Sequence, residues 1–370
     1  MRQIGVLHLI DTLEPGGAER VAVNLVNHLP RNRYRPYLGT TRRDGALAAD
    51  LAADVGRLRL NRRRRFSPRA IAELVRFVRA HRIAILHAHS TSVFLAALAA
   101  RFSPGTRLVW HDHFGRQDLE ARPAWLYRLP VRRAAGVIAV SPQLAEWSRQ
   151  ALGIEASRVW YLPNFVVVDD GAREPASELP GLPGRRIVCV ANLRPQKDHI
   201  TLIRALAEVV AREPESHLLL VGKLIDSRYG DEIRREIRRH RLEDCVTLLG
   251  ERRDVAALLR SSDVAVLSSA SEGMPLALLE YGAAALPVVA TRVGRCPEIL
   301  DEGRAGRLVA PGDAQGLADA LSGLLRDRSL CRELAEALNR RIRRHYSSEA
   351  IISRLDGLYD TVLNRGGEIA

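Results

Sequence analysis

Short apolar segments alternate with longer amphipathic segments along most of the chain. Ile4–Ile10 is the first apolar segment, and a turn containing Pro15, Gly16 and Gly17 separates it from a helical stretch over Ala18–Leu29. Buried strands of a parallel sheet are short and continuously apolar, whereas the helices that cover them show a 3.6-residue period. The other predicted strands are Tyr34–Thr41, Val55–Leu60, Ile83–His87, Arg107–Trp110, Gly136–Val140 and Val159–Leu162, and then Ile187–Ala191, His217–Val221, Val246–Leu249, Val264–Leu267 and Val288–Thr291. The pattern predicts the α/β class, with two doubly wound domains.

A region of different composition divides the chain. Residues 169–186 are rich in Pro, Gly and acidic side chains and show little apolar periodicity, which is typical of a linker. We therefore predict an N-terminal domain over 1–168 and a second domain over 187–345. Leu317–Leu363 is helical by periodicity but broken around Tyr346–Ser347, and residues 346–370 are predicted to form a helix that packs back toward the N-terminal domain. Parallel sheets of this kind bind ligands at the carboxyl ends of their strands, which predicts a central cleft faced by both sheets.

The composition excludes several classes of protein. The chain has 370 residues, of which 46% are hydrophobic and 27% charged, so it can bury two cores and is not a disordered chain. The four Cys are isolated in sequence, which argues against a zinc ribbon or a disulfide framework. The N-terminus reads as a first strand and not as a signal peptide, and the apolar stretch Val93–Ala100 is far shorter than a membrane span. We therefore expect a cytoplasmic protein.

Positive charge is concentrated in the first half of the chain. The formal net charge is +13, and residues 1–170 carry +12 of it, from 26 Arg and 14 acidic residues. Such an imbalance predicts an anionic partner for the first domain. A nucleic acid is the disfavoured partner, because aromatic residues are only 5% of the chain and no helix-turn-helix, RRM or zinc-finger pattern is present.

The turn after the first predicted strand is a candidate phosphate site. Gly16 and Gly17 let the backbone approach a ligand closely, and the helix that follows offers free N–H groups and the positive end of its dipole. A plain tight turn is an equally good interpretation of the two glycines.

Four histidines follow two neighbouring predicted strands. His87 and His89 lie in LHAHST, and His111 and His113 lie in VWHDHFG, at the strand ends that face the predicted cleft. Clustered histidines can bind a metal ion, but no carboxylate or Cys spacing completes a ligand set here. Hydrogen bonding to a polar substrate is the favoured interpretation, and no metal site is predicted.

The loop after the first strand of the second domain carries a pair of cations. Arg194 and Lys197 lie in NLRPQKDH, just before a predicted helix. Lys197 is one of only two lysines among 56 basic residues, the other being Lys223. An Arg that can chelate two oxygens and a Lys that acts as a point charge together suit a diphosphate.

The segment SEGMPLALLE at 271–280 carries the most specific pattern. Glu272 follows an apolar strand and precedes a helix predicted to begin near Pro275, so that the backbone at Gly273–Leu276 can hold sugar or phosphate oxygens. Glu280 lies eight residues after Glu272, just over two helical turns, which predicts that both carboxylates face one ligand.

At these residues the sequence resembles the family 4 glycosyltransferases of the GT-B fold. The resemblance covers nearly the whole chain, through GGAER at 16–20, VSPQL at 140–144, LPN at 162–164, LRPQKDH at 193–199, LLLVG at 218–222, SEGMPLALLE at 271–280, PVVATRVG at 287–294 and PEIL at 297–300. It implies a retaining hexosyltransferase (EC 2.4) that moves a sugar from a UDP- or GDP-sugar to a glycan or lipid-linked acceptor, in polysaccharide or glycolipid biosynthesis, without a metal ion or other cofactor. A nucleotide-sugar epimerase of the same fold is the alternative enzyme.

The resemblance also implies roles for single residues. Glu280 would bind the ribose hydroxyls, Glu272 would contact the donor sugar, and Lys197 would bind the diphosphate, with Gly16 and Gly17 opposite it. The backbone of Gly273, Met274, Pro275 and Leu276 would hold sugar and phosphate oxygens. Either His111 or His113 would lie beside the transferred sugar. The departing phosphate would itself take the proton of the acceptor.

The sequence departs from the family pattern at two places. Asn192 stands where the family commonly has Arg, five residues before the lysine, and Arg194 is the nearby residue that can supply the charge. The usual Gly-x-Gly after the strand at 218–222 reads Gly222-Lys223-Leu224. Gly222 and Lys223 are therefore assigned to the donor site, with a solvated loop lysine as the alternative for Lys223.

An arginine-rich segment in the first domain suggests a membrane surface. Residues 57–82 contain ten Arg and one acidic residue, and Arg62–Arg65 form an unbroken run before a helix predicted to begin near Pro68. Anionic lipid attracts such a segment by about 1 kcal/mol per well-placed charge. We therefore predict peripheral binding to the inner face of the cell membrane. A helix that packs its apolar stripe on the sheet and leaves its Arg in solvent is the alternative.

Overall fold

A computed structural model describes residues 3–64, 66–113, 122–168 and 179–364, which fall into two compact units. The first unit is Met1–Phe165 with Ser348–Ala370, and the second is Val166–Ser347. The predicted domain limits and the linker at 169–186 stay predictions, because residues 169–178 lie outside the described residues.

The described part of the first unit holds a seven-stranded parallel sheet in the order β3-β2-β1-β4-β5-β6-β7. Its elements in chain order are β1 Ile4–Thr12, α1 Gly17–His28, β2 Tyr34–Arg43, β3 Gly56–Arg59, α2 Pro68–Ala80, β4 Ile83–His89, α3 Val93–Arg101, β5 Arg107–Asp112, α4 Ala124–Val131, β6 Gly136–Ala139, α5 Pro142–Gln150 and β7 Val159–Tyr161, with short 3₁₀ turns at Ala46–Asp50, Ser90–Ser92 and Ala156–Arg158. Ser67 and Ser141 begin two of the helices. Each Ser accepts a backbone N–H through its hydroxyl and is followed by Pro, which suits the first helical position.

Alternate residues of the central strands belong to two separate cores. Leu7 and Trp110 point to the face that α2, α3 and α5 cover. Val6 and Val109 point to the other face, where they pack against the C-terminal helix of the chain. That helix packs on the first unit, and Tyr34 of β2 donates a hydrogen bond of 2.6 Å to its Asp356.

The described part of the second unit holds a six-stranded parallel sheet in the order β10-β9-β8-β11-β12-β13. Its elements are β8 Arg186–Val190, a 3₁₀ turn Pro195–Lys197, α6 His199–Arg212, β9 His217–Val221, α7 Ser227–Arg239, β10 Val246–Gly250, α8 Val255–Arg260, β11 Val264–Leu267, α9 Leu276–Ala283, β12 Val288–Thr291, α10 Cys296–Ile299, a 3₁₀ turn Asp301–Gly303, β13 Arg307–Val309, α11 Ala314–Arg326 and α12 Arg328–His345, and the C-terminal helix of the first unit is α13 Ser348–Asn364. Both sheets reverse their strand order beside the first strand of the unit, between β1 and β4 and between β8 and β11. Ligands of doubly wound sheets bind at such switch points.

The structure confirms the α/β class and the two doubly wound units. All the predicted strands are present, with ends that shift by at most two residues, and the helical break near Tyr346–Ser347 is present. The three-residue edge strand β13 and the helix break at Asp327 were not predicted. Among the described residues, no helix is both long enough and apolar enough to cross a bilayer.

Candidate functional site

The switch point of the second sheet brings Lys197 and Glu272 into contact. Lys197 ends the 3₁₀ turn after β8, and Glu272 lies in the loop after β11. Lys197 Nζ is 2.5 Å from Glu272 Oε1, and the hydroxyl of Ser269 donates to the same oxygen at 2.5 Å. The side chains of Lys197 and Glu272 are only 14% and 9% exposed. A charged pair of this kind, held at a sheet's carboxyl edge, can bind a ligand that carries both phosphate and hydroxyl groups.

Hydrogen bonds to backbone carbonyl oxygens hold the loops after β8 and β11 together. The hydroxyl of Ser268 donates to the carbonyl oxygen of Lys197 at 3.0 Å, and the N–H of Ala270 donates to the carbonyl oxygen of Gln196 at 3.0 Å. The hydroxyl of Thr291, at the end of β12, donates to the carbonyl oxygen of Ser269 at 2.6 Å. The position of the ion pair is therefore set by three polar contacts of the backbone as well as by its own charges.

The backbone after Glu272 turns into α9 against a third loop. Gly273 is exposed and accepts a hydrogen bond of 3.0 Å from the N–H of Arg295 at its carbonyl oxygen. Gly294 has φ +52°, and a Cβ there would collide with the carbonyl oxygen of Glu272, so this position requires glycine. No role was predicted for Gly294 from the sequence, because its close approach to Glu272 depends on strand order.

α9 begins at Leu276 with Pro275 as its N-cap, close to the predicted start, and Glu272 lies in the loop before it, as predicted. Because Glu272 is outside the helix, the helical period does not place it on one face with Glu280. Pro275 also has no N–H, so it cannot donate to a sugar or phosphate oxygen as the resemblance implied. The cap makes no side-chain hydrogen bond, which leaves the first-turn N–H groups of α9 suited to an anion. Met274 is buried, and Glu280 is half-buried on the second turn of α9.

The other predicted cations of this unit lie on exposed loops nearby in the fold. Asn192, in the place of the family's Arg, accepts the backbone N–H of Lys223 at 3.1 Å through its side-chain oxygen. Leu193 donates to the carbonyl oxygen of Lys223 at 2.9 Å. A Cβ at Gly222 would collide with the carbonyl oxygen of Ala191, so glycine allows the two loops to meet. Arg194 and Lys223 are exposed, and their side chains form no hydrogen bond or ion pair with another described residue.

Burial keeps Cys189 and His199, near the Lys197–Glu272 pair, uncharged. Burial raises the pKa of the Cys189 thiol to about 12, an effect that Glu272 reinforces and Lys197 opposes. Burial and then the charge of Lys197 lower the pKa of His199 to about 4. Cys189 is therefore a poor nucleophile and His199 is uncharged at neutral pH, so neither adds a charge to those of Lys197 and Glu272.

The carboxylate of Glu19 lies next to the Gly16–Gly17 turn of the first unit. Gly16 is the N-cap of α1, in extended conformation and exposed. A Cβ at Gly16 would collide with the carboxylate of Glu19, which lies in the first turn of the helix. Burial raises the pKa of Glu19, and the charge of Asp11 adds to this. A carboxylate therefore already lies at the positive end of α1, which weakens the predicted attraction of Gly16 and Gly17 for a phosphate.

The predicted histidines of the first unit belong to a larger cluster. Six side chains on one face of the sheet form an unbranched hydrogen-bonded chain, here called the imidazole line, in the order His111, His87, Tyr359, His8, His89, His113. His8 of β1 and Tyr359 of α13 were not predicted. His8 is directly opposite His87 in the strand register, and His89 is opposite His111. Asp112, between His111 and His113, points to the other face, where it forms a buried ion pair with Arg122 at 2.9 Å.

Burial keeps the imidazoles of this line uncharged. It lowers the pKa of His8 and of His113 to about 3. Burial and the neighbouring imidazoles lower the pKa of His87, His89 and His111 well below the ordinary value. Two triplets have nitrogens within 4.8 Å of one another, a spacing compatible with a metal ion: His8, His87 and His89, and His89, His111 and His113. The hydrogen bonds of the line account for the same spacing without an ion.

Two family models match successive parts of the chain. The model described as Glycosyltransferase Family 4 matches residues 15–170, and the model described as Glycosyl transferases group 1 matches residues 184–327. The second match contains the Lys197–Glu272 pair and α9, and the first contains four histidines of the imidazole line.

Curated proteins and solved structures give similar results. N-acetyl-alpha-D-glucosaminyl L-malate synthase of Bacillus anthracis is 34% identical over 185 residues, 50% of this chain and 48% of its own length. Phosphatidyl-myo-inositol mannosyltransferase of Mycobacterium leprae is 32% identical over 240 residues, 63% of this chain and 61% of its own length. The chain thus matches only about half to three fifths of these relatives' length. The Anabaena protein HepE, solved in complex with UDP and glucose, is 21% identical with a TM-score of 0.81, over 97% of this chain and all of that chain.

Proposed function

Since both units of the chain belong to the family 4 glycosyltransferases of the GT-B fold, we propose that the protein transfers a sugar from a nucleotide-sugar donor to an acceptor hydroxyl in glycolipid or polysaccharide biosynthesis. The observation that carries the proposal is the Lys197–Glu272 pair at the switch point of the second sheet, followed by the uncapped start of α9. These groups match the chemistry of a donor that combines a diphosphate with sugar hydroxyls. HepE, a protein of the same fold, binds UDP and glucose.

Different residues of this site would bind different parts of the donor. The ammonium of Lys197 and the first-turn N–H groups of α9 would neutralise the diphosphate, with Arg194 and Lys223 at the exposed rim. Glu280 would accept hydrogen bonds from the ribose hydroxyls and Glu272 from the donor sugar. Lys197 is paired with Glu272 in the structure. Donor binding would therefore redirect part of the lysine's charge toward the phosphate and free Glu272 oxygens for hydroxyls.

The transfer step follows from the leaving group. As the bond between the anomeric carbon and the phosphate oxygen breaks, negative charge grows on the diphosphate, and fixed cations aimed at it lower the barrier. In the retaining reaction that the family resemblance implies, the acceptor oxygen bonds to the anomeric carbon on the same face. Its proton passes to the departing phosphate oxygen, so no side chain is needed as a base. The proposed site uses no metal ion, because Lys197 and helix N–H groups supply the positive charge.

The experiment is a donor and acceptor screen with the full chain. UDP- and GDP-sugars are incubated with phosphatidyl-myo-inositol vesicles or with L-malate, acceptor classes taken from the names of two relatives. We expect a glycosylated product and release of the nucleoside diphosphate, with the donor's anomeric configuration retained in NMR spectra of the product. A donor that isomerises without any acceptor would instead indicate an epimerase, and an inverted product would contradict the retaining mechanism.

We also propose that the first unit docks on anionic lipid at the inner face of the membrane. Arg63 and Arg64 are exposed, next to Phe66, whose side chain is 67% exposed. Ile71 and Val75 of α2 are only half-buried, and with Phe102 they line an apolar surface groove of about 460 Å³. Exposed aromatic rings beside arginines are typical of the lipid interface. Arg62 differs from its prediction, because it points inward to Asp11 at 3.4 Å, and Arg65 lies outside the described residues.

Vesicle co-sedimentation tests this docking surface. We expect binding that requires anionic lipid, falls in high salt and weakens in Arg63→Ser/Arg64→Ser. The matched control is Arg238→Ser/Arg332→Ser, which removes the same charge from exposed positions of the second unit. Equal binding to neutral vesicles, or an equal loss in the control, would contradict the docking surface and leave a soluble acceptor in its place.

A further inference from the structure

The imidazole line is continuous from one end to the other. Its five hydrogen bonds are 3.1 Å from His111 Nδ1 to His87 Nε2, 2.7 Å from His87 Nδ1 to Tyr359 Oη, 3.1 Å from Tyr359 Oη to His8 Nε2, 3.0 Å from His8 Nδ1 to His89 Nε2, and 2.9 Å from His89 Nδ1 to His113 Nε2. Each histidine inside the line therefore uses both ring nitrogens, one toward each neighbour. All the rings have the same orientation, with Nδ1 on the side of His113.

The number of protons in this line allows two arrangements of its hydrogen bonds. A neutral imidazole carries one N–H and the tyrosine carries one O–H, so six groups supply six protons to five hydrogen bonds. A bond is made only when one of its two partners donates, so neighbouring groups must donate in the same direction. Either every histidine donates through Nδ1, or every histidine donates through Nε2. Any mixture of the two leaves one buried pair with two protons or with none, or lets His87 and His8 both donate to the oxygen of Tyr359 and leaves its O–H without an acceptor. Each of these defects costs about 1–3 kcal/mol for each unsatisfied group.

The sixth proton distinguishes the two ends of the line. When all rings donate through Nδ1, the spare proton is on His113 Nδ1 and His111 Nε2 is bare. When all donate through Nε2, the spare proton is on His111 Nε2 and His113 Nδ1 is bare. His111 is 2% exposed, and its Nε2 is buried without a hydrogen-bond partner among the described residues. A buried ring nitrogen without a partner indicates that a polar group of a ligand or a water binds there.

We propose that the imidazole line locks its five histidines into one common tautomer, so that His111 Nε2 and His113 Nδ1 always offer a bound polar group opposite roles, one donor and one acceptor. A hydroxyl that binds at His111 Nε2 therefore sets the role of His113 through the line. Reversal moves one proton at each of the five bonds, with a proton gained at one terminal nitrogen and a proton released at the other. The interior gains no charge. Tyr359 is a positioning residue here, since it relays the bond between His87 and His8.

The inference does not depend on the proposed function, because tautomers can be read without any substrate. The test is long-range ¹H–¹⁵N NMR of the full chain labelled at its histidine ring nitrogens, near pH 7.5, with resonances assigned by single His→Gln variants. Bare and protonated ring nitrogens resonate far apart. We expect the five histidines of the line to show one tautomer, or the same Nδ1:Nε2 proton ratio if the two states exchange. Different tautomers among the five rings in the wild-type protein would overturn the proposal.

A variant at the centre of the line adds a second readout. In Tyr359→Phe the line divides into His87–His111 and His8–His89–His113. With a water or a ligand group at His111 Nε2, that nitrogen is satisfied in either tautomer, so the choice depends on the nitrogens that faced the Tyr359 hydroxyl. Because a buried bare nitrogen is tolerated better there than a buried orphan N–H, His87 is expected to keep Nδ1 bare and the first fragment to protonate Nε2. His8 is expected to keep Nε2 bare and the second fragment to protonate Nδ1. The control is Tyr34→Phe, which removes a buried hydroxyl beside Tyr359 that bonds to Asp356 and not to the line.

The outcomes of this comparison are distinct. A split between the two fragments in Tyr359→Phe, with a common tautomer in Tyr34→Phe, supports the relay. A common tautomer in folded Tyr359→Phe would overturn it, and the wild-type spectrum decides the question if that variant does not fold. Equimolar metal in the purified protein would also overturn it, since His89 Nδ1 and His113 Nε2 would then be ligands and not partners of each other.

Discussion

The buried imidazoles predict that acid destabilises the first unit more than the second. A histidine whose pKa is lowered by folding binds fewer protons in the folded chain than in the unfolded chain. The free energy of unfolding therefore falls as the pH drops below the unfolded value of about 6.5, and it continues to fall until the folded pKa is reached. That folded pKa is about 3 for His8 and His113, so the window extends from about pH 6.5 down to about pH 3.

The magnitude follows from the number of such histidines. Lowering the pH from 7.0 to 5.5 removes about 1 kcal/mol for each histidine that stays neutral when folded. The five histidines of the imidazole line then lose about 5 kcal/mol together, which is comparable with the whole stability of a typical domain, about 5–15 kcal/mol. Among the groups of the described residues that interact with these rings are the other imidazoles of the line and the hydroxyl of Tyr359. In the second unit His199, with a pKa of about 4, contributes about one fifth as much.

Native-state hydrogen exchange read by mass spectrometry is the assay. Peptides from β4 and β5 report on the first unit and peptides from β8 and β11 on the second, at pH 7.0 and at pH 5.5, after correction for the intrinsic exchange rate. We expect the free energy of opening to fall by several kcal/mol in the first set and by about 1–2 kcal/mol in the second. Equal changes in both sets, or no loss in the first, would refute the conclusion that the line is neutral and buried.

The donor site gives three more expected outcomes. Lys197→Ala should lower kcat by roughly 10–150-fold, the effect of losing a charge-assisted hydrogen bond of about 1.5–3 kcal/mol, and unchanged kcat/KM with every donor would remove Lys197 from the site. Activity should survive EDTA, because fixed cations neutralise the diphosphate, and a complete loss that added metal reverses would contradict this. Gly294→Ala should lower the free energy of unfolding by about 1–3 kcal/mol, because φ is +52° and Cβ would meet the Glu272 carbonyl, whereas Gly323→Ala inside α11 has open space around it and should not. A Gly294→Ala variant as stable as wild type in urea would show that this loop can shift.

Most of the fold was predictable from local patterns in the sequence. Continuous apolar runs predicted the strands of both sheets, since strands buried on two faces need no polar alternation. Arg307–Val309 was missed because three residues with an exposed Arg at a sheet edge give no such run. The break at Asp327 was missed because Asp also occurs inside helices, and its role as the cap of α12 depends on its bond to Leu330.

The candidate site was only partly predictable for a related reason. Lys197 and Glu272 were each singled out from their position between a strand and a helix. Their direct contact across 75 residues requires β8 and β11 to be neighbours, which strand patterns alone do not reveal. His8 likewise joins the imidazole line only through its register with His87, and Tyr359 joins it only because α13 packs on the first unit.

Calorimetric titration of nucleotides and nucleotide-sugars tests the central claim most directly. UDP, GDP and their sugars are titrated into the wild-type chain, into Glu280→Gln and into Glu333→Gln, an exposed carboxylate on α12 of the same unit. We expect at least one nucleoside diphosphate to bind the wild-type protein. Glu280→Gln should weaken this binding by roughly 10–150-fold, because it loses about 1.5–3 kcal/mol of binding free energy. Glu333→Gln should bind the same ligand as tightly as the wild-type protein does. Binding of none of these ligands to the wild-type chain, or equal affinity in Glu280→Gln, would contradict the account of this unit as the nucleotide-sugar site.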